Sequence, residues 1–203
     1  MESLSADFTK RLLNQRLNQF CTLKFEDYFD TSSATPEEYY DLIFKVSMNV
    51  PRIIGYILYY CHQTNVSLGR KINKGSIEKA AQTYYEQVVS KFFDIATHSL
   101  MSFSEKVSEL QQKEILNLFV QKLKTIKRQI ITNELTGTIY NRDRTNPYCS
   151  HFYFQPNLEH FLRTLELNFF ITKYNELVNK DGNKVSIYGI NYGLARSENL
   201  KWG

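Results

Sequence analysis

Apolar residues recur every three or four positions through the first two thirds of the chain, which is the spacing of helices that bury one face. This pattern predicts five helices, which are Ser5–Phe20, one from Pro36, one from Pro51, Ile77–Phe92 and about Glu109–Asn133. We therefore expect the N-terminal part of the chain to be helical.

Start signals accompany three of these predicted helices. Thr35, Pro36 and Glu38 stand in the order of a capping box with proline at the first helical position. Pro51 can open a helix but cannot continue one, so it separates the second helix from the third. Ser76 is expected to cap the fourth helix.

The pattern changes beyond Gly137, where β-forming residues predict a short strand over Cys149–Phe154. A helix opening at Pro156 is followed by two apolar stretches, Phe169–Asn179 and Val185–Tyr192, on either side of a Lys-Asp-Gly-Asn turn. The Asp-Gly pair predicts a type I′ turn, whose two central residues both need positive φ. Helix, strand, turn and strand in this order are typical of the end of a winged-helix domain. An ordinary hairpin with no DNA role fits the pattern equally well.

The predicted fold class is therefore mainly α, with a helical bundle over residues 1–104 and a winged-helix domain with a small β-hairpin over residues 105–203. Composition agrees with a folded chain, because 42% of the 203 residues are hydrophobic and only 23% are charged. No apolar run reaches the roughly 18 residues of a membrane helix, and we expect a cytoplasmic protein without a membrane partner.

Charge and cysteine usage narrow the function classes. The net charge of +4 can steer an encounter with a polyanion, although most charged residues merely solvate a face. Cys21, Cys61 and Cys149 are an odd number without C-x-x-C spacing, so they are expected to be reduced thiols. Neither they nor the scattered histidines supply the four ligands of a zinc site, and no metal is expected.

Four segments carry a family resemblance, and they are Phe25–Phe29, Tyr39–Val46, Asn49–Gly55 and Ile77–Tyr85. In this order they resemble the helical lid of AAA+ ATPases of the origin-recognition type, including bacterial relatives, in which a winged helix follows the lid. The resemblance spans roughly residues 8 to 195. Asn49 and Val50 stand where the family has glycine and a small polar residue, so the turn before Pro51 departs from the family pattern.

The resemblance implies a C-terminal piece of an ATPase. The chain has no G-x-x-x-x-G-K-[ST] motif and no strand that ends in paired acids, so it is not expected to hydrolyse ATP alone. ATP is implied as a cofactor only together with a nucleotide-binding half of the same protein. That half, double-stranded DNA and further copies of the chain are the implied partners. The ending Lys201-Trp202-Gly203 suggests that the native chain continues.

Arg52 is the candidate nucleotide-sensing residue. It lies in the first turn of a predicted helix, where a cation opposes the helix dipole, and an anion held by the free amides and the guanidinium would reverse that cost. In the resembled family a lid arginine meets the γ-phosphate in this way. Pairing of Arg52 with Asp27 or Asp30 is the structural alternative.

Candidate DNA-binding residues occur first around the predicted hairpin. Lys180, Asn183 and Lys184 surround its turn, where one acid, Asp181, is held by turn chemistry. Arg163 lies on the preceding helix with His160, but the predicted outward positions of that helix also include the acids Glu159 and Glu166, which phosphates would repel. Direct base reading by this helix is therefore not expected.

Further candidates lie in the middle of the chain. Lys124, Lys127 and Arg128 lie late in a predicted helix, where they would contact phosphates or simply complement the dipole. Arg142 and Arg144 stand between Tyr140 and Tyr148, in a loop that would stack on bases or cover the core. Two functions follow from the sequence. The first is a lid and a DNA-binding winged helix of an ATP-driven machine, and the alternative is a non-catalytic module that docks a partner protein.

Overall fold

The structure is a computed structural model that describes residues 2–21, 24–95, 103–135 and 144–203. The chain folds into two compact units, Met1–Tyr85 and Glu86–Gly203, whereas the sequence pattern predicts a boundary between residues 104 and 105. Across the described residues the fold is mainly helical with one three-stranded antiparallel sheet, so the predicted fold class is confirmed at that level. No helix in these four ranges is long and apolar enough to cross a membrane.

The N-terminal unit contains five α-helices among its described residues. They are α1 (Glu2–Phe20), α2 (Phe25–Tyr28), α3 (Pro36–Ser47), α4 (Pro51–Thr64) and α5 (Lys74–Tyr84), with a short 3₁₀ turn at Val66–Leu68. Helix α3 begins as predicted, because Thr35 accepts from the amide of Glu38 and the carboxylate of Glu38 accepts from the amide of Thr35 at 2.8 Å.

The start of α5 differs from the prediction. Asn73, not Ser76, is the N-cap, and its side chain accepts from the amide of Ser76 at 2.9 Å. Ser76 occupies the third helical position and its hydroxyl accepts from the amide of Asn73 at 2.9 Å. Because Lys74 and Gly75 are not apolar, the periodicity could not place the first turn. The predicted single helix to Phe92 is also interrupted, by a π-helical turn at Tyr85–Val89.

Aromatic and β-branched side chains fill the core of the N-terminal unit. Phe25 and Phe29 stack with ring centroids 4.2 Å apart, and the ring of Tyr39 packs against both, with centroid distances of 6.1 and 5.2 Å. The isoleucines of α4 that face this core, Ile53, Ile54 and Ile57, are fully buried. These contacts hold α1, α3, α4 and α5 together, so the predicted apolar faces are the faces that pack.

The C-terminal unit combines a long helix with the sheet. Its elements are α6 (Phe92–Ile95), α7 (Phe103–Ile131), β1 (His151–Phe154), a 3₁₀ segment (Pro156–Leu162), α8 (Arg163–Leu167), β2 (Ile171–Val178), β3 (Lys184–Ile190) and α9 (Tyr192–Ser197). The strand order is β1-β3-β2, so β3 is the central strand. β1 pairs with β3 in a register that places His151 opposite Gly189 and Phe154 opposite Ser186. β2 pairs with β3 with an irregularity between Lys173 and Asn175.

Candidate nucleic-acid interface

The hairpin between β2 and β3 does not have the predicted type I′ turn. Among the residues of this turn only Gly182 has a positive φ, at 79°. The amide of Gly182 donates to the carbonyl of Asn179 at 3.0 Å, and the amide of Asn179 donates to the carbonyl of Asn183 at 2.9 Å. This is a three-residue loop with a left-handed glycine at its end. The Asn179 side chain favours it, because its oxygen accepts from the amides of Asp181 and Asn183 at 3.0 and 2.9 Å.

Lys180, Asn183 and Lys184 lie together at this tip, as the sequence predicts for a hairpin. All three are exposed, and neither lysine takes part in an ion pair with another residue of the described ranges. The side chains therefore extend from a loop whose backbone is fixed by four hydrogen bonds. Such a tip presents two unneutralised cations to solvent.

Glu159 does not face outward as predicted. Its carboxylate accepts from the ammonium of Lys173 at 2.8 and 3.0 Å and from the hydroxyl of the fully buried Ser186. These hydrogen bonds lower the pKa of Glu159, with Lys173 as the largest cause and Ser186 as the second. Glu166 also turns toward the sheet, where its oxygen lies 3.4 Å from the amide of Lys173.

The segment before the hairpin is a weak candidate for a recognition helix. Its first seven residues are 3₁₀ and only five residues, Arg163–Leu167, are α-helical. With Glu159 and Glu166 turned toward the sheet, its exposed polar side chains are Asn157, His160 and Arg163. Leu158, Phe161 and Leu167 are also exposed, at 37%, 49% and 69%.

The basic residues of α7 share one face but are largely engaged within the unit. Lys124 forms an ion pair with Glu198, and the ammonium of Lys127 donates to the carbonyl of Asn199 at 2.6 Å. With Arg128 they line an open cavity of about 250 Å³ beside the end of α9. Arg128 is exposed and belongs to none of the ion pairs of the described residues. Two of these three cations therefore fix α9 against α7, a role that the sequence pattern does not suggest.

The predicted basic and aromatic loop is only partly described. Arg142 and Tyr140 lie outside the described residues. Arg144 donates to the side chain of Asn133, just beyond the end of α7. Tyr148 is 60% exposed, and the ammonium of Lys201 lies 4.1 Å from the centroid of its ring.

Arg52 lies in the first turn of α4 and is exposed. That turn contains no acid. Arg52 belongs to none of the ion pairs of the described residues, so the alternative pairs with Asp27 and Asp30 are not formed. The Asp27 carboxylate accepts from the amide of Lys24 and the Asp30 carboxylate from the hydroxyl of Ser32. Burial raises the pKa of Tyr84 to about 12, and the charge of Arg52 acts in the opposite direction.

The turn before Pro51 contains two residues with left-handed backbone conformation. Asn49 has φ 58° and Met48 has φ 53°, both in the left-handed region. Asparagine tolerates this conformation better than most residues, although glycine adopts it more easily. Thr9 of α1 also donates to the Asn49 side chain at 3.4 Å. Asn49 is therefore held in this turn both by its tolerance of positive φ and by a contact with α1.

A groove between α7 and β1 is a feature that the sequence does not predict. It encloses about 450 Å³, and its lining residues are Phe119, Lys122, Leu123, Ile126, Ile130, Tyr148, Cys149, His151, Phe152, Tyr153 and Phe154. Phe119 and Phe152 stack at 4.7 Å between centroids. The aromatic run of β1 is visible in the sequence, but its pairing with the face of α7 depends on the fold of the sheet.

A second aromatic cluster surrounds His151, the first residue of β1. His151 packs against Trp202 at 4.8 Å and Tyr174 at 5.2 Å between ring centroids, and the indole of Trp202 donates to the carbonyl of Ile190 at 2.9 Å. Burial lowers the pKa of His151, and a backbone hydrogen bond at Gly203 acts in the opposite direction. Burial in this cluster therefore disfavours the charged form of His151.

Two of the three cysteines are shielded from solvent. Cys61 and Cys149 are buried, and burial raises the pKa of the Cys61 thiol to about 12, so it is not a nucleophile near neutral pH. Within the described ranges no three histidine, cysteine or acidic side chains come together in a way that could hold a metal ion. Comparisons with protein-family models, with curated proteins and with solved structures find no match to this chain.

Proposed function

We propose that the C-terminal unit is a winged-helix domain that binds double-stranded DNA through its β2–β3 hairpin. The element order supports this proposal, because α7, β1, a helical segment and a hairpin follow one another, with β1 beside the last strand, as they would in a winged helix. The observation that carries the proposal is the hairpin tip, where Lys180 and Lys184 are exposed and have no ion-pair partner among the described residues. Phosphates would neutralise these charges and release counterions.

The N-terminal unit takes the role of the helical lid in this proposal. Arg52 would report the nucleotide state of a nucleotide-binding half, since it is an exposed guanidinium at the start of α4 without an acid in the same turn. ATP would bind only in the presence of that half. In this proposal Arg52 is the one cation that the described residues direct toward the nucleotide. The phosphate-binding loop would come from the nucleotide-binding half.

The hairpin should contact phosphates and not base edges. Lysine donates hydrogen bonds from a flexible ammonium, which is sufficient for phosphate oxygens but carries little sequence information. Asn183 is the one tip residue that can both donate and accept. We therefore expect an affinity that depends strongly on salt and weakly on DNA sequence.

The test is a salt titration of duplex binding by the whole chain, measured by fluorescence anisotropy. The double variant Lys180→Glu, Lys184→Glu should weaken binding to unrelated duplexes to a similar extent and reduce the salt slope by about two, since each lost phosphate contact removes about 0.9. Its stability should change by less than about 0.5 kcal/mol, because both side chains are exposed.

The matched control is Lys79→Glu, Lys113→Glu, which makes the same change in net charge at two other exposed lysines. It should leave the salt slope unchanged. If both double variants lower affinity equally, the effect is one of net charge and the hairpin is not the contact. If the wild-type chain has no affinity for duplex DNA, the proposal is wrong.

A protein-docking module is the second candidate, and one observation favours it. Leu158, Phe161 and Leu167 are exposed on the segment before the hairpin, where a DNA-reading helix would carry polar side chains. In this alternative the chain has no duplex affinity at any salt concentration, and replacing the three residues by serine abolishes partner binding while the hairpin variant does not.

A further inference from the structure

We propose that the groove between α7 and β1 binds one medium-chain fatty acid, with the carboxylate at Lys122 and the methyl end beside Ile130. This inference goes beyond the proposed function and does not rest on it, because none of the described residues that line the groove lies at the hairpin tip. Binding in the groove and duplex binding through the hairpin can therefore be measured separately and can fail separately.

The floor of the groove is apolar and belongs to one unit of the chain. Leu123, Ile130 and Cys149 line the groove and are buried. The enclosed volume of about 450 Å³ falls within the range of about 300–1,000 Å³ that is usual for small-ligand sites. A concave site of this size is suited to a small molecule.

The walls of the groove leave apolar surface in contact with water. Phe119, Ile126, Phe152 and Phe154 line the groove and are each only partly buried. The ring of Phe119 stacks on Phe152 at 4.7 Å between centroids and meets Phe154 edge to face at 6.0 Å, so contacts within the unit already fix these walls. An apolar ligand that covers them removes hydrocarbon surface from water, which favours binding.

The groove is elongated along α7. Its lining runs from Phe119 to Ile130, a distance of about 16 Å along the helix at a rise of about 1.5 Å per residue. The rings of Phe152 and Phe154 contact Phe119 at one end, and the aliphatic residues of α7 continue from there to Ile130. An extended dodecanoate chain has about this length, whereas a single ring system would cover only part of it.

The charge of the lining favours an anionic head group. Lys122 is the one lysine or arginine among the described lining residues, and none of those residues is acidic. It is exposed and belongs to none of the ion pairs of the described residues. Because Lys122 follows Phe119 by three residues, the two side chains are neighbours on the helix surface, and the ammonium is placed to reach the Phe119 end. A carboxylate at that end would pair with the ammonium, and a cationic head group would be repelled.

The experiment is isothermal titration calorimetry of the whole chain with dodecanoate, below the concentration at which it forms micelles. The wild-type chain should bind one dodecanoate. Lys122→Glu should weaken this binding by about tenfold or more, because an acid replaces the cation that pairs with the carboxylate. The affinity for dodecanol, which has the same chain without the charge, should stay within about twofold of wild type. Lys113→Glu makes the same charge change at another exposed lysine of α7, outside the groove lining, and should leave both affinities within about twofold.

A second pair of variants tests the groove itself. Ile126→Trp fills the groove and should abolish the binding of both dodecanoate and dodecanol. Leu118→Trp is the matched control, since Leu118 is 68% exposed on the same helix and does not line the groove, and it should keep both. Circular dichroism should show that both variants are folded. If Ile126→Trp does not fold, the comparison of Lys122→Glu with Lys113→Glu still decides.

Absence of dodecanoate binding by the wild-type chain overturns the inference. Equal weakening by Lys122→Glu and Lys113→Glu overturns it as well, and so does undiminished binding by a folded Ile126→Trp chain. Binding of an amphipathic helical peptide, or of phosphatidylglycerol vesicles, without binding of free dodecanoate would assign the groove to another occupant and also overturns it. If dodecanoate binds as expected and the wild-type chain has no duplex affinity, the proposed function is wrong and the groove site stands.

Discussion

Glu159 gives a prediction about the stability of the segment before the hairpin, because it connects this segment to the sheet. Its carboxylate accepts from Lys173 and from Ser186, and so ties the 3₁₀ segment to β2 and β3. Glu159 and Lys173 have 26% and 25% of their side chains exposed, so the pair is only partly screened by solvent. Lys173 also pairs with Glu176 at 2.7 Å and stays neutralised when Glu159 is removed.

The cost of Glu159→Ala then comes mainly from Ser186, which is fully buried and would lose its acceptor. An unsatisfied buried hydroxyl costs about 1–3 kcal/mol, and we expect a loss of about 2 kcal/mol in the free energy of unfolding of the C-terminal unit. Glu159→Gln keeps an oxygen for Ser186 and should cost about 1 kcal/mol. Glu176→Gln, at the exposed partner of the same lysine, should stay within about 0.5 kcal/mol.

The assay is urea unfolding followed by the fluorescence of Trp202, which reports on the C-terminal unit because it is the only tryptophan. Duplex affinity is measured alongside. Since Lys173 neutralises Glu159, Glu159→Gln should not raise the affinity for DNA. An unchanged urea midpoint in Glu159→Ala, or an increased affinity for DNA in Glu159→Gln, would refute this assignment. Either result would mean that Glu159 faces outward, where it would repel phosphates.

Three further predictions concern other parts of the chain. Gly189→Ala should destabilise the sheet by about 1–3 kcal/mol, because an added Cβ would lie 2.7 Å from the ring of Tyr174 and 2.8 Å from Nε2 of His151; a Trp202 unfolding midpoint equal to wild type contradicts it. Burial lowers the pKa of His151 in the folded chain below its ordinary value of 6.5. As the pH falls, the unfolded chain therefore binds a proton at His151 before the folded chain does. The free energy of unfolding should then be highest above about pH 6.5 and decrease below it. Urea midpoints between about pH 7.5 and 5.5 should show this decrease in the control His160→Gln but not in His151→Gln. Arg52→Ala should change the free energy of unfolding of the chain by less than about 0.5 kcal/mol, because Arg52 is exposed. In a protein that includes the nucleotide-binding half, the same substitution should lower the rate of ATP hydrolysis. An unchanged rate of hydrolysis would mean that Arg52 has no nucleotide-sensing role.

Sequence patterns predict those features that depend on neighbouring residues. The capping box at Thr35 and Glu38, the helix start at Pro51 and the apolar face of α4 are all local, and the structure confirms them. The hairpin is also accessible from sequence, because two β-rich stretches on either side of an Asp-Gly pair predict one whatever its turn type. The exposed lysines at the tip follow from the same pattern.

Other features depend on side chains that are distant in the sequence. The predicted turn type is wrong because Asn179, outside the Asp-Gly pair, supplies the acceptor that fixes the loop. Helical periodicity predicts an outward position for Glu159, because a local pattern contains no information about partners distant in the sequence. These partners are Lys173, 14 residues away, and Ser186, 27 residues away. The groove forms only when α7 and β1 pack side by side, and no local sequence pattern predicts that these two elements are neighbours.

The structure also bears on what kind of DNA recognition is physically available to the C-terminal unit. A recognition helix needs a row of polar side chains that reaches base edges, yet α8 has five residues and the preceding segment is 3₁₀ with exposed Leu158 and Phe161. The acids of this segment are turned toward the sheet, so it neither reads bases strongly nor repels phosphates. The remaining contacts proposed for this unit are the two exposed lysines at the hairpin tip, which would act on phosphates. Phosphate contacts carry little sequence information. The proposed duplex binding should therefore depend on the salt concentration much more strongly than on the DNA sequence.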